Sequence, residues 1–260
     1  MPDLCHHRWM TDDPVDAPRR AGRVPTLGEL DVLVASCRAC PRLVGWREQV
    51  AQAPRASFTG QTYWGRAVPG FGPERSRIAV VGLAPAAHGA NRTGRMFTGD
   101  RSGDVLYAAL HRAGLASQPD SVSADDRMQL LGVRITAPVH CAPPANMPTP
   151  QERDACAPFL NRELELIAPD VVVVLGGFGW QAMVSSLAST GWTIPRPRPK
   201  FAHGAEVVIS RVDHETGSGV RRLTLLGCYH VSQQNTFTGT LTPAMLDAVL
   251  ARAKSLSGLP

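Results

Sequence analysis

The stretch RIAVVGLAPAAHGANRTGRMFTGD, Arg77 to Asp100, joins a short apolar run to a long glycine-rich loop. The run RIAVV is rich in β-branched residues, as strands buried in a parallel sheet are. The loop that follows holds small and polar residues, and Asp100 is its only carboxylate. In open α/β sheets, ligands bind beyond the carboxyl ends of the strands. The stretch therefore predicts a buried parallel strand with a ligand-binding loop directly after it.

Apolar runs and helical patterns alternate through most of the chain. The other runs that predict buried strands are GVRITAP (Gly132 to Pro138), DVVVVLG (Asp170 to Gly176) and RLTLLGCYH (Arg222 to His230). The predicted helices cover Thr26 to Cys37, Ser102 to Ala116, Thr149 to Ile167, Phe178 to Leu187 and Pro243 to Ser255. Such alternation predicts an α/β fold with a mainly parallel sheet covered on both faces.

Length and composition indicate one globular domain. The 260 residues are 43% hydrophobic, which is enough for a single core. The sequence has no apolar run of about 18 residues and no apolar core of a secretory signal near its start, so we expect a cytoplasmic protein without membrane contact. The net charge of +5 fits a polyanionic partner but does not require one. We expect residues 1–25 to form a mobile extension, and residues 26–260 to form the domain.

Four cysteines have a spacing that is typical of a shared metal or cluster site. A Cys-x2-Cys pair places two thiolates on one turn, and two further cysteines lie where a predicted strand end and the next helix can bring them together. The spacing alone leaves structural zinc and a [4Fe–4S] cluster open, and four buried thiols without a metal are the alternative. The candidate ligands are Cys37, Cys40, Cys141 and Cys156.

Three ordered segments resemble the uracil-DNA glycosylase superfamily, most closely its family 5, the broad-specificity prokaryotic type. They are the loop ending GRMFTGDRSG, VHCAPPANMPTP (Val139 to Pro150) and YHVSQQNTFTGTLT (Tyr229 to Thr242). The resemblance covers about Cys37 to Ala253. It implies a three-layer α/β/α sandwich with a central, mostly parallel sheet, and a [4Fe–4S] cluster on the four cysteines. It also implies a monomeric, nucleoid-associated repair enzyme that acts on DNA containing uracil or other deaminated bases and leaves an abasic site.

Breaking the bond between a sugar and its base requires stabilisation of two developing charges. Positive charge grows on the sugar and negative charge on the departing base. Related families carry a polar residue near the start of the first motif, where this chain has Leu83 and Ala84. The resemblance points instead to Asp100 as the group that positions water or offsets sugar charge, although an aspartate here also suits a helix N-cap. It assigns His230 as donor to the base oxygen, where a structural histidine is the alternative.

The resemblance also suggests residues that hold the extruded base. Phe97 would stack on the base, with core packing as the alternative, and Asn146 would read a pyrimidine edge, although an asparagine beside prolines is commonly a turn residue. Small side chains at Ala84 and Ala86 suggest a roomy pocket that discriminates weakly between bases. We therefore expect activity on hypoxanthine and modified uracils as well as uracil.

Further polar residues are candidates for contact with the DNA. The loop VSQQNTFTG, Val231 to Gly239, would enter the duplex and occupy the gap that the base leaves. Arginines of the glycine-rich loop and the basic residues at 196–200 would contact phosphates, while an ordinary solvated charge is the alternative for each. The candidate DNA contacts are His88, Arg92, Arg95, Gln233, Gln234 and Asn235.

Two other functional classes compete with a glycosylase. A Rossmann-like nucleotide-binding enzyme is disfavoured because neither GLAPAAHG nor LGGFGW matches G-x-G-x-x-G. A non-catalytic iron–sulfur protein that binds DNA is disfavoured only through the resemblance. No lysine in the three segments could form a Schiff base, so we expect a monofunctional hydrolase rather than a lyase.

Overall fold

The computed structural model of the protein describes residues 13–213 and 219–260. Its strands are β1 (Ile78–Val81), β2 (Val133–Thr136), β3 (Val171–Leu175), β4 (Glu206–Asp213) and β5 (Gly219–Cys228). Its α-helices are α1 (Ala17–Arg20), α2 (Leu27–Ser36), α3 (Pro41–Gln52), α4 (Ala90–Thr93), α5 (Arg101–Arg112), α6 (Pro150–Ile167), α7 (Gly176–Ser189), α8 (Gln233–Phe237) and α9 (Pro243–Ser257). Within these ranges, no helix has both the length and the apolar composition needed to cross a membrane.

The strands form one sheet in the order β2-β1-β3-β5-β4. Neighbouring strands from β2 to β5 run parallel, and β4 pairs antiparallel with β5 at the edge. The mainly parallel sheet predicted from the sequence is thus confirmed. Strand β4 was not predicted, because its sequence EVVISRVD mixes charged and apolar residues in the way of a half-exposed edge strand.

Both faces of the sheet are covered by helices, which confirms the three-layer sandwich. Ile78 and Val80 of β1 lie in a core with helices α5 and α9. Ala79 and Val81 lie in a second core with helices α2, α6 and α7. Since residues alternate between the two faces of a strand, every residue of β1 is buried and the strand reads as one apolar run.

Local signals fix where the helices begin. The Thr149 side chain accepts from the Glu152 amide at 3.2 Å, and the Glu152 carboxylate accepts from the Thr149 amide at 2.8 Å. This capping box lies where the sequence predicts it. Helix α3 was not predicted, because its buried face combines Leu43 and Val44 with Arg47, which interrupts the apolar pattern.

The expectation that residues 1–25 lie outside the fold is wrong for residues 13–25. Ala17 and Ala21 are fully buried in the core that also contains residues of α2 and α6. The Arg162 Nε on α6 donates to the Val24 carbonyl oxygen at 2.8 Å. Alanines give little periodic signal, yet their small side chains let short helical turns pack closely against other helices. Residues 1–12 lie outside the described part of the chain.

A buried ion-pair network joins helices α2 and α6 to the edge strand β2. Arg134 on β2 is 3% exposed and forms an ion pair with Glu163 on α6, which is equally buried. Its Nη2 also lies 2.6 Å from an Asp31 carboxylate oxygen on α2, and its Nη1 donates to the Gly72 carbonyl oxygen at 2.8 Å. Thr136 donates to the other Glu163 oxygen. One guanidinium therefore holds together segments that deliver candidate cysteine ligands.

We expect Arg134→Met to lower the free energy of unfolding by about 3–5 kcal/mol, because it leaves a buried carboxylate without its cation. Urea denaturation followed by circular dichroism measures the change. The control is Arg77→Met, which breaks the surface ion pair with Asp170 and should cost about 0–1 kcal/mol. Equal losses for the two variants would contradict the structural role of the network.

Candidate active site

The loops that follow neighbouring strands β1, β3 and β5 meet at the carboxyl edge of the sheet. Phe97, from the loop after β1, has its ring centroid 6.2 Å from that of His230, which follows β5. A Cβ added to Gly176, the residue after β3, would lie 3.2 Å from the His230 Cβ. The edge predicted to bind a ligand therefore brings together two of the predicted site residues.

Phe97 is held against the end of β1 in a strained backbone conformation. A Cβ on Gly82 would lie only 2.8 Å from the Phe97 ring, so the ring occupies space that any larger residue would take. The φ angle of Phe97 is +53°, a left-handed value that costs about 1–3 kcal/mol in a residue other than glycine. Such strain is concentrated at ligand-binding positions, which favours a functional role for this ring over simple packing.

Asp100 caps helix α5 and also lies against the glycine-rich loop. Its Oδ1 accepts from the Gly103 amide at 3.0 Å, so the N-cap considered in the sequence is present. Its Oδ2 lies where a Cβ on Gly89 would come within 1.9 Å. Burial raises the pKa of the Asp100 carboxyl above its ordinary value, while amide groups of Gly103 and Ser102 oppose that shift. The carboxylate is thus fixed in position and partly desolvated.

His230 is neutral at physiological pH. Burial lowers the pKa of its imidazole to about 4, because a low-dielectric site disfavours the charged ring. Asn235 donates from Nδ2 to the His230 carbonyl oxygen at 2.8 Å, which holds the backbone of this residue. A neutral imidazole carries one N–H and can donate a hydrogen bond without placing a net positive charge in the site.

Asn146 lies exposed in a short helical turn, where its φ angle is +56°. It lines an open cleft of about 420 Å³ together with Ala87 and His88 of the glycine-rich loop. Trp46 and Gln49 of helix α3 line the same cleft. The sequence analysis named neither residue, because Arg47 interrupts the apolar pattern of α3 and the helix was not predicted.

Ala84 and Ala86 are both half-buried in the glycine-rich loop. Ala84 packs against the core that lies under helices α2, α6 and α7. The Ala86 carbonyl oxygen accepts from the amides of Gly89 and Asn91 at 3.2 and 3.1 Å. These bonds fold the loop back on itself. The contact of the Ala84 and Ala86 side chains with a base stays a prediction.

The prediction that Arg95 contacts DNA is wrong. Arg95 is 5% exposed, and its Nη2 lies 2.6 Å from Asp126 and 2.7 Å from Ser121. Its Nε donates to Thr98 at 2.9 Å. The sequence could not show this burial because the carboxylate partner lies 31 positions away along the chain. Arg95 stabilises the loop from inside.

Arg92 is also used within the protein. Its three nitrogens donate to His88, Gly99 and Gln61, each at 2.9 Å, and its guanidinium lies 4.3 Å from the Phe58 ring centroid. Such bonds brace the two ends of the glycine-rich loop. Arg92 is half-buried, and its contact with a phosphate stays a prediction.

His88 and Asn235 form hydrogen bonds within the protein, whereas the side chains of Gln233 and Gln234 are exposed. The His88 ring shares a hydrogen bond of 3.0 Å with the Tyr63 hydroxyl. Burial lowers the pKa of His88, and the positive charges of nearby arginines lower it further. Asn235 is half-buried and donates to the His230 carbonyl oxygen, and its contact with DNA stays a prediction. Gln233 and Gln234 are exposed at the start of α8.

The four candidate cysteine ligands line one cavity inside the fold, together with Phe159 and Val139. The first two end α2 and begin α3, the third follows β2, and the fourth lies in α6. In residues 13–213 and 219–260, no group of three or more His, Cys, Asp or Glu is arranged to hold a metal ion. The cavity gathers Cys37, Cys40, Cys141 and Cys156.

A buried arginine tests whether these thiols fit an anionic cluster. Arg47 Nη1 donates to the Cys141 Sγ at 2.9 Å, and Nη2 donates to the Cys37 carbonyl oxygen at 2.9 Å. The Arg47 Nε is buried without a hydrogen-bond partner. A buried cation needs a compensating negative charge, and thiolates around a cluster supply one. The donor set and its charge therefore fit a multi-iron group bound by cysteine.

Comparison with known proteins gives consistent matches. The sequence model of the Uracil DNA glycosylase superfamily matches residues 69–254. The type-5 uracil-DNA glycosylase of Mycobacterium bovis is 55% identical over 92% of this chain and 85% of its own length. The type-5 uracil-DNA glycosylase of Thermus thermophilus is 49% identical over 87% of this chain and 96% of its own length. The type-4 uracil-DNA glycosylase of Archaeoglobus fulgidus is 34% identical over 51% of this chain and 60% of its own length.

We expect the His230 ring to titrate at about pH 4 rather than near the ordinary value of about 6.5, because burial disfavours its charged form. Nuclear magnetic resonance of ring-labelled protein between pH 3.5 and 8 measures the midpoint, and a His230→Gln variant assigns the signal. A midpoint close to 6.5 would contradict the buried, neutral imidazole.

Proposed function

Because the chain belongs to the uracil-DNA glycosylase superfamily and is a uracil-DNA glycosylase of base-excision repair, we propose a mechanism in which Asp100, His230 and Phe97 act on one extruded nucleotide. The observation that supports it most is the meeting of the Phe97 and His230 rings, whose centroids lie 6.2 Å apart. Asp100 follows Phe97 closely in the chain and caps α5. The curated relatives are glycosylases, so a Rossmann-like enzyme and a non-catalytic DNA-binding protein are both set aside.

His230 stabilises the departing base. Negative charge develops on the base oxygens as the glycosidic bond breaks, and a fixed hydrogen-bond donor lowers the energy of that state. A neutral imidazole serves because its N–H is present throughout the physiological pH range when the ring pKa is about 4. The bond from Asn235 to the His230 backbone keeps the donor in place.

Asp100 acts on the sugar side of the bond. Its carboxylate offsets the positive charge that grows at the sugar and orients the water that attacks there. Oδ1 is held by the helix cap, so the carboxylate requires little reorganisation when the charge develops. A pKa raised by burial also suits a group that accepts a proton from water.

The base itself is held by stacking and by its edge. Phe97 stacks on the flipped base, an interaction worth about 1–3 kcal/mol that tolerates several bases. Asn146 reads the base edge from the cleft that it shares with the glycine-rich loop. Small residues at Ala84 and Ala86 leave room for larger substrates. We therefore extend the substrates to hypoxanthine and modified uracils, which a duplex with a single hypoxanthine tests.

The four cysteines hold a [4Fe–4S] cluster in this proposal. When bound, the cluster supplies a structural cross-link between the α2–α3 turn, the loop after β2 and helix α6. The buried Arg47 guanidinium beside Cys141 supports an anionic group in that cavity. The cluster takes no part in bond cleavage, which uses the residues at the carboxyl edge of the sheet.

Contacts with DNA come from the exposed start of α8 and from the basic loop. Gln233 and Gln234 are exposed and occupy the gap that the base leaves, and residues 196–200 contact phosphates. The enzyme acts as a monomer on nucleoid DNA in the cytoplasm. It is monofunctional, because the segments around the site hold no lysine that could form a Schiff base.

We expect Asp100→Ser to slow uracil release by about a hundredfold or more while DNA affinity changes little, because serine keeps an N-cap acceptor but removes the carboxylate. The measurement is single-turnover release from a duplex with one uracil, followed by alkaline cleavage at the abasic site. Asp104→Ser, an exposed carboxylate one turn along α5, is the matched control. A wild-type rate for Asp100→Ser would rule out a catalytic role for its carboxylate.

A further inference from the structure

Arg47 is buried beside the candidate cluster without a carboxylate partner. It is 1% exposed, and its described hydrogen bonds go to the Cys141 sulfur and the Cys37 carbonyl oxygen. Within the described residues, the salt bridges do not include it. A cation in such a place is unfavourable unless a nearby group carries negative charge. The Cys141 sulfur is the one cysteine sulfur to which the guanidinium is hydrogen-bonded in the described residues, and it would carry that charge as a thiolate ligand of a cluster.

The backbone of the same residue bonds to the glycine-rich loop. Asn91 is fully buried in helix α4, within that loop. Its Nδ2 donates to the Arg47 carbonyl oxygen at 3.2 Å and lies 3.4 Å from the Ala87 carbonyl oxygen. One residue of α3 thus touches the cysteines through its side chain and the loop that leads to Asp100 through its backbone.

We propose that Arg47 is a positioning residue that couples the cysteine-bound group to the glycine-rich loop. Its guanidinium offsets the negative charge of the [4Fe–4S] cluster. The hydrogen bond from Asn91 to the Arg47 carbonyl oxygen fixes residues 86–91 relative to α3. This inference rests on the proposed cluster. It assigns Arg47 no contact with DNA and no part in bond cleavage.

The first test measures the charge that Arg47 supplies. A positive charge near a cluster favours its reduced form, so Arg47→Met should shift the reduction potential to a more negative value. Iron release to a chelator should become about tenfold faster or more, because the buried thiolates lose their cation. Arg47→Lys keeps the charge with fewer donors and should hold the potential near wild type while iron release still accelerates.

The matched control is Arg38→Met, which removes the same charge between two of the cysteine ligands. Its guanidinium is partly exposed and paired with Glu48 rather than with a thiol, so wild-type potential and iron release are expected. A wild-type potential for iron-loaded Arg47→Met would overturn the inference. If Arg47→Met does not fold, wild-type iron release from Arg47→Lys would overturn it.

The second test separates the loop contact from the charge. Asn91→Leu keeps a similar volume and should leave iron content and potential unchanged. It should accelerate amide hydrogen exchange in residues 82–100 and slow uracil release. The control is Asn161→Leu, which replaces a half-buried asparagine of α6 that accepts a hydrogen bond from Ser186 of α7. Unchanged exchange in Asn91→Leu would overturn the coupling.

The two proposals fail in different ways. Wild-type protein that is purified without air, contains no iron or sulfide and still releases uracil would contradict the cluster, and the coupling with it. If wild type binds iron and the Arg47→Met variant has the same reduction potential and the same rate of iron release as wild type, only the coupling is contradicted. Iron content is therefore measured first on every preparation.

Discussion

The site depends on how closely the glycine-rich loop folds back on itself at the end of β1. The Phe97 ring lies so close to Gly82 that a Cβ added there would be 2.8 Å from the ring. The Asp100 carboxylate lies so close to Gly89 that a Cβ added there would be 1.9 Å from Oδ2. Neither glycine position accepts a larger residue unless the Phe97 or the Asp100 side chain moves. The chain therefore holds Phe97 in a left-handed conformation near His230, with Asp100 fixed at the start of α5.

A second constraint lies on the other side of the same loop. Helix α3 follows its N-cap residue Cys40. The Arg47 side chain on this helix donates to the Cys141 sulfur, and the Arg47 carbonyl oxygen accepts from Asn91. The glycine-rich loop is thus held between the carboxyl edge of the sheet and a helix that starts at a candidate cluster ligand. In our proposal, this arrangement would let a cluster on the cysteines affect the position of the loop without taking part in bond cleavage.

Features set by neighbouring residues could be predicted from the sequence, and features set by distant partners could not. The buried strands and the Thr149 capping box depend on residues a few positions apart, and both are where the sequence placed them. The burial of Arg95 depends on Asp126, and that of Arg47 depends on cysteines far along the chain. Until such partners are known, the sequence gives no sign that a charged side chain in a loop or helix is buried. For this reason the sequence assigned Arg95 to the DNA, whereas the structure buries it inside the loop.

We propose that catalysis depends on the position of the Asp100 carboxylate, and not only on its presence. Gly89→Ala tests it most directly, because the change keeps every polar side chain and displaces the carboxylate. Single-turnover uracil release should fall by about tenfold or more, while affinity for a duplex with an abasic-site analogue stays near wild type. Gly28→Ala, where a Cβ meets open space, should release uracil at the wild-type rate. A wild-type rate of uracil release from folded Gly89→Ala would show that the position of the Asp100 carboxylate does not limit catalysis.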